Sequence, residues 1–179
     1  MEKVNRHRFG SEASLSGEIV RAVSAADFAQ LRELLLAYEE DLDPELRHGE
    51  VPSTERLAAT HRGSEAAFLA RRATRASGCV AVRDLGGGSA LVLRLFVLPA
   101  HRGVGAARAL VARAIDFALD RGYARIFLDT DKERLEPAYR LYRSFGFEEC
   151  PPYAPVGYAN PTYMVLRFSP LDCARGDRA

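Results

Sequence analysis

The sequence predicts a single α/β domain, and three observations carry that prediction. The stretch Ala90 to Arg121, ALVLRLFVLPAHRGVGAARALVARAIDFALDR, reads as a buried strand, a glycine-containing turn and an amphipathic helix in succession. A second such unit follows, with ARIFLDT from Ala124 to Thr130 as another apolar strand and a helix opening at Pro137. The 179 residues, 47% of them hydrophobic, suffice for one sizeable core and not comfortably for two.

The elements can be justified in order. Met1 to Gly17 is polar and without periodicity, the composition of a mobile leader. Ile19 to Val23 is short and β-prone, and Ser24 suits the N-cap of a helix whose apolar positions are Phe28, Leu31, Leu34, Leu35 and Tyr38. The acidic cluster Glu39, Glu40, Asp41, Asp43 and Glu45 is either a solvated helix end or an attractor for a cationic ligand. Ser53-Thr54-Glu55 starts a second helix running to His61. Ala66 to Arg71 and Gly78 to Arg83 form an antiparallel pair joined by Arg72 to Ser77, and Leu85 to Ser89 leads into the central strand. Pro99 ends that strand, because proline has no N–H for a ladder. In the helix that follows, Arg108, Arg113, Asp116 and Asp120 mark a polar face and Leu110, Val111, Ala114, Ile115 and Ala118 an apolar one, with Gly122 as the stop. The helix opening at Pro137 carries Ala138, Leu141, Tyr142 and Phe145 as its stripe, closed by Gly146. Phe147 to Cys150 and Tyr163 to Phe168 are the last strands, separated by a loop bounded by Pro151-Pro152-Tyr153 and Asn160-Pro161. Residues 18–168 thus form the domain, and Ser169 to Ala179 a frayed tail.

Charge narrows the function classes. With 25 basic and 24 acidic residues the net charge is +1, which gives neither nucleic acid nor a membrane surface anything to attract. No apolar run reaches transmembrane length, so the expected location is the cytoplasm. Cys79, Cys150 and Cys173 are odd in number and lack CxxC spacing, and His7, His48, His61 and His101 lack metal-ligand spacing; neither a disulfide framework nor a metal site is expected.

The turn from Arg102 to Ala107 carries the chemistry. The first N–H groups of a helix have no internal partners and bear the positive end of its dipole. Small residues at Gly103, Gly105, Ala106 and Ala107, with Val104 between the glycines, let an anion approach those groups, and Arg102 adds a full charge. A pyrophosphate suits such a cradle; the competing reading is a tight connection whose glycines serve only the backbone. The nucleoside-triphosphate loop is excluded, because Ala106-Ala107 stands where it requires Lys-Ser/Thr. The dinucleotide fingerprint fails as well, since only two glycines are present at its spacing.

Arg102-x-x-Gly105-x-Ala107 resembles the acetyl-CoA-binding motif of the GCN5-related N-acetyltransferases (GNAT), written Gln/Arg-x-x-Gly-x-Gly/Ala. Val97-x-Pro99-x-x-Arg102-Gly103 before it and Ala138-x-x-Leu141-Tyr142-x-x-x-Gly146-Phe147 after it extend the resemblance, which runs from about Ile19 to Phe168 and is weakest in the first third. It implies a mixed, mostly antiparallel central sheet with helices on both faces. It also implies acetyl-CoA as co-substrate, its pantetheine arm bonded to the backbone of Phe96 and Val97 and its pyrophosphate on residues 102–107. The acetyl group would pass directly to a primary amine in a ternary complex. Tyr142 matches the family tyrosine beside the thioester sulfur and would protonate the departing thiolate; helical spacing alone makes it a core tyrosine.

The general base is the weak point of the resemblance. Many relatives carry a glutamate on the central strand, where this chain has Leu91-Val92-Leu93-Arg94-Leu95. Asp129, at the end of the adjacent strand, is the nearest carboxylate by topology; it is either that base or a strand-end acid bonded to backbone or to Arg94. Leu135 stands where relatives often have asparagine. The C-terminal block resembles bacterial acetyltransferases acting on small molecules, which would place Tyr153 and Asn160 at the acceptor; the alternative is that the loop prolines merely shape a turn. Two further classes remain beside a small-molecule N-acetyltransferase, namely a non-catalytic acyl-CoA sensor and an interaction module using the acidic segment. Oligomeric state is left open, a homodimer included.

Overall fold

The computed structural model describes residues 17–169, so most of the predicted leader and tail, with His7 and Cys173, lies outside the described residues. A seven-stranded sheet runs in the order β1-β2-β3-β4-β5-β7-β6. Its strands are β1 (Glu18–Arg21), β2 (Ala66–Arg72), β3 (Arg75–Gly86), β4 (Ser89–Val97), β5 (Arg125–Thr130), β6 (Glu148–Glu149) and β7 (Thr162–Arg167). All neighbours pair antiparallel except β4 and β5, which are parallel. The helices are α1 (Ala25–Asp41), α2 (Thr54–Thr60), α3 (Ala106–Asp120) and α4 (Glu136–Ser144). The mixed, mostly antiparallel α/β architecture is the one the resemblance implied.

Local chemistry accounts for the boundaries. Ser24 caps α1 in a capping box: its Oγ accepts from the Asp27 N–H at 3.1 Å, and Asp27 Oδ2 accepts from the Ser24 N–H at 2.8 Å. Ser53 caps α2 by accepting from the Arg56 N–H. The β2–β3 connection is shorter than the sequence suggested. Ala73 enters the left-handed region (φ 53°), which allows a two-residue turn in the sense of the strand twist. The glycine triplet behaves similarly, with Gly87 and Gly88 both at positive φ in the β3–β4 hairpin. β6 is also shorter than expected, because Pro151 and Pro152 cannot donate to a ladder.

The core lies on both faces of the sheet. Phe28, Leu31, Leu34, Leu35 and Leu57 from α1 and α2 pack on Leu69, Cys79 and Phe96. On the opposite face Leu110, Val111, Ala114 and Ile115 of α3 pack with Phe68, Val80 and Ile126, joined by Tyr142 and Phe145. Each fully buried side chain of this size contributes roughly 1.5–3 kcal/mol, which holds β4 rigidly between two helical layers. Among the described residues no helix is long and apolar enough to cross a membrane.

Candidate active site

Two irregularities in β4 open the middle of the sheet. Its parallel ladder with β5 covers only Ser89 to Leu91, opposite Arg125 to Phe127. Beyond that point a bulge interrupts the β3 pairing, so that Arg94 and Leu95 both stand between the pairs Ala81–Leu93 and Cys79–Phe96. Arg94 takes φ 59°, unusual for a residue with a Cβ. The Leu98 N–H donates to the Ser77 carbonyl at 2.9 Å, which sets the ladder phase. In that phase the backbone of Phe96 turns toward Cys79 and that of Val97 turns away from β3.

The predicted turn sits at the end of this strand. Gly105 is the left-handed N-cap of α3 (φ 85°), no side chain caps the helix, and the first intrahelical bond runs from the Ala109 N–H to the Gly105 carbonyl. The amides of Ala106 and Ala107 therefore face outward at the positive end of the dipole. Gly103 also has positive φ (79°), and a Cβ there would meet nothing within 4 Å, so space is open beside the amides. Val104, between the two glycines, is exposed. Arg102 bends back to the strand: Nε donates to the Val97 carbonyl at 2.9 Å and Nη2 to Asp41 at 2.5 Å, with its guanidinium 5.8 Å from the Phe96 ring centroid. The charge that Arg102 brings to the turn is thus paired with the end of α1.

Tyr142 is buried on α4, edge-on to Phe147 at 5.8 Å. Burial, reinforced by the neighbouring Tyr38 phenol and the Asp129 carboxylate, pushes its hydroxyl well above the ordinary phenol range, so it stays protonated at neutral pH.

Asp129 has neither of the structural partners anticipated for it. Its Oδ1 accepts from the Tyr153 hydroxyl at 2.5 Å and its Oδ2 from the Tyr158 hydroxyl at 2.9 Å. Burial first, then the bonded carboxylate, raises the Tyr153 hydroxyl far above its usual range, and the same influences act on Tyr158. Both remain donors. Arg94 instead pairs with Glu39, Nη1 to Oε1 at 2.9 Å. Glu39 also receives the backbone N–H of His48 at 2.7 Å and lies 3.1 Å from His48 Nδ1. Tyr153 therefore joins Asp129, whereas Asn160 lines a separate groove with Asp131, Lys132, Glu149 and Cys150.

Tyr158, Glu39 and His48 were missed by sequence reasoning. Glu39 belonged to a segment whose spacing reads equally well as a solvated helix end, and His48 and Tyr158 lie in loops without periodicity. Only the acidic cluster's alternative role gave any signal. The cluster itself divides: Glu39 turns inward to Arg94, Asp41 meets Arg102, and Asp43 and Glu45 meet Arg134. A cavity of about 180 Å³ between α1, α2 and the sheet approaches the cluster at Arg94 and is also lined by His61 and Cys79. Burial pushes the Cys79 thiol up to about 12, which makes it inert as a nucleophile.

Comparison with known proteins gives a consistent picture. The model of the acetyltransferase (GNAT) family matches residues 28–147. An uncharacterized N-acetyltransferase of Schizosaccharomyces pombe is 42% identical over 95 residues, 52% of this chain and 58% of the yeast protein's length. The uncharacterized N-acetyltransferase YsnE of Bacillus subtilis is 34% identical over 110 residues, 60% of this chain and 73% of its own. Among solved structures, yncA of Salmonella typhimurium, described as a putative acetyltransferase with its cofactor acetyl-CoA, superimposes with a TM-score of 0.72 at 20% identity, covering 87% of this chain and 95% of that one.

Proposed function

The chain belongs to the acetyltransferase (GNAT) family, and from that premise we propose that it transfers an acetyl group from acetyl-CoA to a primary amine on a small metabolite. The observation that carries this reading is the uncapped amino end of α3, which follows the stretch of β4 that has left its ladder with β5. A diphosphate fits the amides of residues 103–107 by charge and by the open space at Gly103. The Salmonella structure with acetyl-CoA supports the choice of anion.

From that anchor the arm of the coenzyme lies along β4 as an added strand, and Val97, whose backbone turns to the open side, is the better placed partner of the proposed pair Phe96 and Val97. A β4 amide at the bulge stabilises the oxyanion that forms as the amine attacks. Tyr142 supplies a proton to the departing sulfur. Its contribution is modest, because a thiol of pKa about 8.5 already leaves readily as its anion. Asp129 already accepts a phenol hydrogen bond on each oxygen, and its remaining lone pairs suit holding an ammonium group. Tyr153 and Tyr158 then wall the acceptor side, and Asn160 stands apart in its groove.

Calorimetric titration with acetyl-CoA followed by thiol release with a panel of amines tests the proposal. Heat of binding together with acceptor-dependent thiol release supports it. Binding without release across the panel favours a coenzyme sensor, and no binding removes the enzyme assignment.

A further inference from the structure

We propose that His48 takes the proton from the acceptor's ammonium group, with Glu39 as the residue that positions it. This rests on the acetyl-transfer reading above and supplies the base that β4 lacks.

Glu39 fixes the imidazole on two sides. Its Oε2 accepts the backbone N–H of His48 at 2.7 Å, and its Oε1 lies 3.1 Å from the ring Nδ1. An ionised carboxylate only accepts hydrogen bonds, so Nδ1 carries the hydrogen and Nε2 keeps its lone pair. Arg94 Nη1 holds the same Oε1 at 2.9 Å, and the Glu39 side chain is only 12% exposed. Arg94 is the left-handed bulge residue of the central strand, so this contact ties the imidazole to the place where β4 leaves its ladder. The His48 ring lies 5.6 Å from that of Tyr38, which is 5.5 Å from that of Phe96.

The groups acting on the imidazole come from each neighbouring element: Glu39 from α1, Arg94 from β4 and Asp129 from β5. Burial and the Arg94 charge lower its affinity for protons, outweighing the two carboxylates, so the ring is neutral near pH 7 and free to accept one. The side chain remains 36% exposed, enough to return that proton to water. Asp129, by contrast, has each oxygen engaged by a tyrosine.

The ammonium gives one proton to Nε2, and the imidazolium formed is stabilised by Glu39. The freed lone pair forms the C–N bond. His48 returns its proton to water; as the C–S bond breaks, the tetrahedral nitrogen passes its second proton to the neutral imidazole or to water, and the sulfur leaves as thiolate, protonated by Tyr142 or solvent.

The test uses the full chain and His48→Asn, whose amide can keep the hydrogen bond to Glu39 but cannot act as a base. Nitrogen-15 spectra of histidine-labelled protein near neutral pH should place the proton on Nδ1 of His48. H48N should bind acetyl-CoA within about twofold of wild type and lose on the order of 10²-fold in kcat/KM for the amine, together with the acidic limb of its pH profile. Glu39→Gln should move that limb to lower pH, because it removes a charge that favours the imidazolium. A proton found on Nε2, or wild-type kcat/KM with the limb intact in H48N, overturns the role of His48 alone. Absence of acceptor-dependent thiol release from the wild-type protein overturns the acetyl-transfer reading, and this role with it.

Discussion

Tyr142 and Asp27 illustrate how one side chain's surroundings decide what it can do. Tyr142 is enclosed against Phe147, and its raised proton affinity keeps it a donor without making it a strong acid. Tyr142→Phe is expected to lower kcat by less than about 10²-fold while leaving coenzyme affinity unchanged, as measured by steady-state thiol release and calorimetry. Asp27 is the opposite case. Burial alone would raise its carboxyl, but the N–H groups of Ser24 and Val23 and the Arg71 guanidinium outweigh it and hold it well below the usual range. Its folded pKa is therefore lower than its unfolded one, so its stabilisation is complete above the unfolded value of about 3.9 and is lost as pH falls further. Asp27→Asn should cost about 2 kcal/mol at neutral pH, and the melting difference from wild type should shrink below about pH 4. Tyr142 and Asp129 were legible in the sequence because each sits at a fixed place in a periodic element. Glu39, His48 and Tyr158 were not, because what brings them together is the bulge at Arg94 and the packing of loops, and neither leaves a spacing.

At the scale of elements, the strand–turn–helix from Ser89 to Asp120 was readable almost residue by residue, since Pro99, Gly103 and Gly105 punctuate it. The hairpins were less so. Ala73 at positive φ closes β2 onto β3 more tightly than its residue type suggests, and no alternation in the apolar run of β4 announced the bulge. Gly105 is where the turn is most exacting. At φ 85° a residue with a Cβ costs on the order of 1–2 kcal/mol in backbone strain, and relieving it would disturb the turn that presents the α3 amides. Gly105→Ala should weaken acetyl-CoA binding at least about tenfold by calorimetry, out of proportion to its effect on melting.

Across the whole molecule, the end of α1 and the α3 turn are joined by the Arg102–Asp41 ion pair, which lies in solvent. A phosphate arriving at the turn competes with Asp41 for the same guanidinium. Asp41→Asn should therefore tighten acetyl-CoA binding by about twofold to fivefold at low ionic strength, with the gain fading at high salt.

The short parallel ladder between β4 and β5 makes a slit in the sheet, along which the later backbone of β4 has no pairing with β5. Backbone amides near Val97 that turn toward it should take up deuterium as quickly as those of an edge strand, although helices cover both faces. Filling the slit with the thioester arm should slow that uptake there and leave the amides of β2 untouched. Isotope labelling followed by mass spectrometry would then report coenzyme occupancy with no acceptor present.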